Sequence, residues 1–443
     1  MKKDKIHLKA PGNWINDPNG FIYYGGKYHL FYQYFPYAPV WGTMHWGHAV
    51  SEDLVTWEHQ GVALFPTIYQ DQNGCFSGSA IEHDGQMYLY YTGIHYCRLD
   101  PNNIHHCPEN DFEAAQIMIR SEDGIHFDNF EGKTVVVPPI LDRQIGDKTH
   151  TRDPKIWRGK DAWYMVLGST TAKHQGELIL YKSENLTDWK YMNTASKENG
   201  FGWMWECPDY FEVEGGKMVI FSPMGLRNET PLEENHAICM PVEFEEETCS
   251  MQIPDDYQYL DYGLDLYAPQ STLDEEGRRV LVAWLRMPEA VEGEWCGMFC
   301  IPRTVEMKNG HIYFRVHPHI EKMYRRKISS PAQAHSAGYR VSFELKEKET
   351  ISIGGYSICR REGRIHTDRS AVFPQDTPQA KKFRMQAVTP EVQEGDQLDV
   401  YVDNNMVEVF VNRGEYVISS VVYGLTNEIE SDFVKKIEID TLE

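Results

Sequence analysis

Three carboxylates stand out by their neighbours. Asp17 lies in Trp14-Ile-Asn-Asp17-Pro-Asn-Gly20, Asp153 in Thr151-Arg152-Asp153-Pro154, and Glu206 in Trp203-Met-Trp-Glu206-Cys-Pro-Asp209. Each stands beside a proline or one residue from it. Proline disfavours the helical region for the residue before it. It also lacks an N–H, so it interrupts a sheet ladder where a strand begins. Asp17 and Asp153 are therefore expected in extended backbone, on the rigid elements that a catalytic site requires. Asp-Pro and Asn-Asp pairs are also ordinary turn formers, and for a single pair that reading would win. Three at matching places favour a site.

The surroundings separate the three. Glu206 follows Trp203, Met204 and Trp205, and an apolar setting raises a carboxyl pKa, which suits a general acid. Asp17 lies between Asn16 and a Pro-Asn-Gly turn; amide donors there would hold it ionised, as a nucleophile or base needs. Arg152 and Asp153 can reach one ligand only if the strand end is irregular, because neighbours in a regular strand face opposite sides. Two carboxyls with separated pKa values are the machinery for cleaving a glycosidic bond. Aromatic residues cluster near the same segments, among them Trp41, Phe76, Trp203, Tyr267 and Trp284. Their apolar faces suit sugar C–H surfaces, while roughly half are expected in the core.

Such residues must be positioned by something, and the first three hundred residues contain a repeat. A glycine turn between two strand patterns recurs at Gly26, Gly85, Gly159, Gly216 and Gly277, at spacings of 59, 74, 57 and 61 residues. A Ser-acid-acid/Asn phrase before an aromatic recurs at Ser51–Trp57, Ser121–Phe127 and Ser183–Trp189, and reads as a tight turn before an outer strand. Five β-units of about 60 residues predict a five-bladed propeller. Long helices are almost absent, which excludes doubly wound α/β folds. Residues just upstream of each turn would line the central channel, and the carboxylates lie there.

All eleven tryptophans fall between Trp14 and Trp295. Beyond a basic segment, Lys322 to Lys327, read as a solvated connector, come short strand patterns such as Gln397–Val402 and Met406–Asn412. These predict a β-sandwich. The expected division is an all-β chain with a propeller over 1–318, a linker over 319–335 and a sandwich over 336–443. The 443 residues carry a formal net charge of −23, which disfavours nucleic acid and anionic membrane surfaces as partners. No apolar run approaches a membrane span, and no apolar stretch follows the basic start. Nine cysteines without framework spacing suit a reducing compartment. The expectation is a soluble cytoplasmic protein whose partner is a small molecule.

With these residues in view, the chain resembles glycoside hydrolase family 32, the family of invertases, sucrose-6-phosphate hydrolases and fructanases. The motifs are Trp14–Gly20, Phe76-Ser-Gly-Ser-Ala80, Arg152-Asp-Pro154 and Glu206-Cys-Pro208, with Trp41–His48, Asp265-Leu-Tyr-Ala268, Trp295 through Arg303 and Val407–Asn412 in the family's order. The resemblance implies a propeller followed by a sandwich, and a retaining β-fructofuranosidase. By that resemblance Asp17 would be the nucleophile and Glu206 the general acid and then base. Asp153 would bind fructose hydroxyls with Arg152 nearby. Asn16, Gln33, Trp41, Ser77 and Tyr267 would contact sugar, with Phe76 and Trp284 in the same substrate-binding set. No metal or organic cofactor is implied.

Two features depart from the family pattern. Phe35 stands where the family usually has Asn, and Tyr96–Phe112 is longer than expected, a flexible loop at the pocket rim. Its His105, His106 and Cys107 are adjacent, and adjacent ligands seldom reach one ion. His45 and His48 read as structural or as polar wall. Alternatives on the same site are a fructan exo-hydrolase or a fructosyltransferase. A different class would be an inactive carbohydrate-binding propeller, which three intact acids argue against. Phosphate on the substrate would need local cations, and Lys148, His150 and Arg286 are the candidates by position.

Overall fold

The computed structural model describes residues 3–442 except 199, 227–235, 264, 335–337, 375–376, 379, 394 and 433–435. Five sheets built on antiparallel four-stranded paths follow one another along the first three quarters of the chain; the second, third and fourth have four strands, and the first and fifth carry extra ones, for six and five in all. Their innermost strands are Asn13–Tyr24, Cys75–His83, Arg152–Arg158, Met204–Val213 and Leu266–Leu273. Each touches the next in that order, and the fifth touches the first. The sheets are the blades of a closed propeller. In every blade the repeated glycine turn joins the inner strand to the second strand. The Ser-acid-acid/Asn phrase is the turn leaving the third strand. Asp53 Oδ1 accepts the N–H groups of Val55 and Thr56 at 2.9 and 2.8 Å, and Asp123 and Asn185 repeat this in the next two blades. Such side chain-to-backbone bonds are why these residue types recur there.

The ring is sealed by a short segment rather than by a shared blade. Trp295–Cys296 pairs in parallel with Asn13–Trp14 of blade 1, and Met298–Phe299 pairs with Trp284–Leu285 of blade 5. Gly297 between them has φ +102°, and a Cβ there would lie 2.0 Å from the Ile15 carbonyl oxygen. Only glycine permits that approach.

The second unit is a sandwich of two antiparallel sheets, one of six strands and one of five. Val341, Phe343, Ile351, Ile358, Val400 and Val409 fill the space between them. The segment expected as a solvated connector contains a strand, Tyr324–Lys327, which pairs with Glu438–Leu442 at the edge of the six-stranded sheet. Its partner lies over a hundred residues away, so no local pattern signals the pairing. The expected start of the sandwich at 336 lies outside the described residues.

The six-stranded sheet is buried on both faces. Tyr401, Phe410 and Val417 on its outer face share a core with Leu281, Val305 and Phe314 of blade 5. Strands buried on both faces read as continuous apolar runs, and Met406–Val411 is buried at every position. Its one charge, Glu408, meets Arg303 of blade 5 at 3.6 Å. Arg303 also donates to Asp261 at 2.9 Å and to the Ser419 hydroxyl at 2.6 Å. All these charges are buried. Removing one partner of such a cluster leaves uncompensated charge, whereas keeping it contributes little net stability. Arg303→Met should therefore cost ~3–5 kcal/mol in equilibrium chemical denaturation; a loss below ~1 kcal/mol would mean that water already reaches Asp261 and Glu408.

Candidate active site

All five inner strands break register at the same level. The breaks fall between Ile15 and Pro18, Cys75 and Gly78, Arg152 and Lys155, Glu206 and Asp209, and Tyr267 and Gln270. In four blades a proline follows the displaced residue: Pro18, Pro154, Pro208 and Pro269. Proline cannot donate to the ladder, so the break costs no hydrogen bond. Bulges re-aim side chains, and here they turn neighbouring residues into one cavity. Asp153 does not lie extended as expected from its proline; its φ is +66°, with Cys207 at +48° and Ala268 at +50°. This irregular geometry is what brings both Arg152 and Asp153 to the cavity.

The cavity has a volume of about 450 Å3. Asp17, Asp153 and Glu206 line it, with Asn16, Gln33 and Arg152 beside them. Trp41, Phe76, Tyr267 and Trp284 line it too. Ser77 does not. It is buried under Asp17, where its hydroxyl donates to Oδ2 at 2.5 Å. Gln33 donates to the same oxygen at 3.3 Å, and Asn16 to Oδ1 at 3.2 Å. Asn16 is itself oriented by the Trp14 indole N–H at 2.9 Å. Phe76 is placed through its carbonyl, which accepts from Trp46 at 2.9 Å.

Glu206 does not meet the apolar setting expected from its neighbours. Trp205 turns into the core between blades 3 and 4, while the Glu206 carboxyl faces polar partners. Arg152 donates to Oε1 at 3.1 Å from Nε and 2.6 Å from Nη2, and the Tyr267 hydroxyl donates to Oε2 at 2.6 Å. Both oxygens are therefore fixed in direction. Asp153 Oδ2 accepts the Cys207 N–H at 2.8 Å. The Asp153 N–H donates to Thr92 Oγ1 at 2.9 Å.

Burial dominates the electrostatics. It raises the Asp17 pKa above its ordinary value, against the lowering effect of the Ser77 hydrogen bond, and the charge of Glu206 raises it further. The amide donors expected to hold Asp17 ionised are present but outweighed. Asp153 is raised to about 7, by burial first and by Glu206 and Asp17, with Arg152 opposing.

Several residues here carried no functional assignment in the sequence. The Cys207 thiol lies 3.6 Å from Asp17 Oδ2 and 3.5 Å from Asp153 Oδ2, between the two acids. Its place between Glu206 and Pro208 is the only sequence signal. Thr92 sits on a neighbouring blade and gives none. Met224 adds to the wall, beside Trp203, expected among the aromatics, and His150, a phosphate candidate by position. The long segment supplies a further stretch of it through Tyr96, His105, His106, Cys107, Asn110 and Phe112. His105 is latched rather than free: its Nδ1 accepts from the Thr43 N–H at 3.2 Å and lies 2.8 Å from Thr43 Oγ1. Its ring meets Phe35 edge-on at 4.9 Å. The unusual Phe35 is the seat of the unusual loop.

The phosphate candidates do not converge. Lys148 pairs with Asp111 at 3.3 Å and does not line the cavity. Arg286 is behind Tyr267, its guanidinium 5.4 Å from that ring. His150 lines the cavity, but burial and then Arg152 lower its pKa to about 4. His45 is held by the Thr43 carbonyl and His48 stacks on Phe31, and neither lines the cavity. Among the described residues, the one group whose ligand atoms could hold a metal ion is Glu275, Glu276 and His319, outside the cavity.

The model of the glycosyl hydrolases family 32 N-terminal domain matches residues 7–318, and that of the glycosyl hydrolases family 32 C terminal matches residues 308–441. The chain belongs to glycoside hydrolase family 32. It is a glycoside hydrolase with the propeller-and-sandwich fold of that family. It is 35% identical over 437 residues to a raffinose invertase of Escherichia coli, covering 94% of this chain and 89% of that one. It is 30% identical over 447 residues to a sucrose-6-phosphate hydrolase of Bacillus subtilis (strain 168), covering 94% and 88%. A solved structure, the Bombyx mori GH32 beta-fructofuranosidase BmSUC1, superposes with a TM-score of 0.83 at 29% identity, covering 99% and 93%.

The Asp153 shift has a consequence for stability. The unfolded chain ionises this group near 3.8, while the folded chain keeps the proton to about 7. Between those values the native state binds more protons, so stability falls as pH rises and then levels off. The Asp153→Asn variant lacks this loss. Its Tm advantage over wild type should open from about pH 4 to about pH 7 and stay constant above, while activity falls. A gap independent of pH would place the Asp153 pKa at its ordinary value.

Proposed function

We propose that the protein is a retaining β-fructofuranosidase acting on small β-fructosides, sucrose above all, free or 6-phosphorylated. The observation that carries this is the arrangement of the acids. One carboxylate is held by hydroxyl and amide donors, a second is fixed on both oxygens by Arg152 and Tyr267, and a third shares their cavity and feels the charge of both. Asp17 attacks the anomeric carbon of the fructosyl unit, and Glu206 gives its proton to the departing glycosidic oxygen. Glu206 then takes a proton from water, which releases fructose from Asp17 with the configuration retained. Asp153 binds fructose hydroxyls and holds the ring for in-line attack. The names and identities of the relatives support this reading.

The volume of the cavity supports a small substrate, since ligand pockets run from roughly 300 to 1,000 Å3. The latched His105 segment closes one side, which disfavours long fructans. The scattered cations disfavour a strong phosphate preference. All nine cysteines are free thiols, which supports a reducing compartment such as the cytoplasm. Among the described residues no helix is long and apolar enough to cross a membrane.

Proton NMR of a fresh digest should show β-fructose first, with the α form growing in by mutarotation. In the same series kcat/KM should be similar for sucrose and sucrose 6-phosphate, within ~10-fold, and lowest for inulin. A first-formed α product would remove Asp17 as nucleophile, and a preference for inulin would overturn the substrate reading. The pH profile offers an independent check. Asp17 must be ionised to attack, and the Ser77 hydroxyl stabilises that form. Ser77→Ala should therefore raise the Asp17 pKa and move the acid limb of kcat/KM to higher pH. An unmoved limb would assign that limb to another group.

A further inference from the structure

The cavity lies in the propeller, yet one of its walls is braced from the sandwich. Tyr267, whose hydroxyl fixes Glu206 Oε2, follows Asp265 by two residues. Asp265 is fully buried and does not line the cavity. Arg369 of the sandwich grips its carboxylate with a two-pronged contact: Nη2 donates to Oδ1 at 3.0 Å, and Nη1 donates to Oδ2. The Val421 N–H donates to the same Oδ2 at 2.8 Å. The remaining N–H groups of Arg369 go to the carbonyls of Arg384, at 2.9 and 2.7 Å, and of Val421, at 2.9 Å. All five guanidinium donors are thereby used, so Arg369 has one available position.

From Asp265 the bracing continues to Tyr267. The Asp265 carbonyl accepts the Arg286 N–H at 3.0 Å and its Nε at 3.3 Å. The Arg286 guanidinium in turn lies over the Tyr267 ring. The inner strand needs such a brace at this point. Its register breaks immediately after Tyr267, and Ala268 takes a positive φ, so the ladder alone does not set the direction of the tyrosine. A buried ion pair contributes little net stability over apolar packing, but a bidentate one fixes distance and angle together.

We propose that Arg369 is a positioning residue for the acid/base: through Asp265 it sets Tyr267, and through Tyr267 the carboxyl of Glu206. The C-terminal sandwich thereby acts on the chemistry without touching substrate. This rests on the reading of Glu206 given above.

The test is Arg369→Lys, which keeps the charge and loses the fork. Its kcat/KM is compared with wild type on sucrose and on p-nitrophenyl β-fructofuranoside, whose leaving group needs little protonation. Both measurements are repeated in the Tyr267→Phe background. The expected loss is about tenfold on sucrose and under about twofold on the aryl fructoside. With Tyr267→Phe already present, the further loss on sucrose should be under about twofold, because both changes act through one hydrogen bond. Equal losses on the two substrates, or an undiminished loss without the tyrosine hydroxyl, is what a merely structural contact gives, and either would overturn the proposal. Glu206→Ala run in parallel tests the underlying reading. A loss indifferent to the leaving group would remove Glu206 as the acid, whatever Arg369→Lys does. Should Arg369→Lys not fold, the neutral pair D265N/R369Q removes both buried charges and is read in the same way.

Discussion

Three carboxyl groups facing one buried cavity repel one another, and much of the architecture answers that repulsion. Burial raises the cost of each charge, and the neighbouring acids add to it, as the upward displacement of Asp17 and Asp153 shows. The arrangement persists because each acid is met by donors from elsewhere in the ring. Ser77 comes from blade 2 and Gln33 from blade 1, Arg152 from blade 3, Cys207 from blade 4 and Tyr267 from blade 5. Five strands must therefore converge on one point and turn their side chains toward it at the same level. The propeller is a geometry that permits this, and the coincident register breaks are how it is achieved.

Those breaks explain what was legible in the sequence. Prolines at 18, 154 and 208 mark the displaced residues, so the three acids could be picked out from their neighbours. Glycine turns and the Ser-acid-acid/Asn phrase are local hydrogen-bonding devices, and local devices leave a periodic trace; the five blades followed from them. What depends on packing between blades left none. Trp205 and Glu206 are adjacent, yet one enters the core and the other meets Arg152, so the apolar run misrepresents the environment of the acid. The left-handed backbone of Asp153 arises from the bulge, a property of paired strands that its own proline does not encode. Cys207 and Thr92 gain their places from neighbouring strands. Arg286 comes two residues after the cavity-lining Trp284 in sequence, but its guanidinium lies over the Tyr267 ring and does not line the cavity.

The two units illustrate two uses of buried charge. At the cavity, charge is surrounded by donors and left accessible on one side, where it faces open space. Between propeller and sandwich, Arg303 and Arg369 are enclosed with Asp261, Glu408 and Asp265, where their contribution is orientation more than adhesion. Apolar contacts such as Leu281 and Phe314 against Phe410 supply the adhesion. The sandwich is attached by its hydrophobic face and aligned by one arginine from each unit, Arg303 of blade 5 and its own Arg369.

The way the ring is sealed bears on how the protein is made. The closing segment around Gly297 emerges late, so blade 1 waits for its last neighbour through most of translation. Asp17 and Tyr267 are separated by about 250 residues, which at ~10 residues per second is roughly half a minute on the ribosome. During that interval the start of the inner strand of blade 1, Asn13 and Trp14, lacks the strand that later pairs with it. An enzyme assembled in this order depends on its nascent blades remaining separate from those of neighbouring chains. Crowded polysomes, where several copies grow side by side, would be the setting in which blades from different chains could close a ring together.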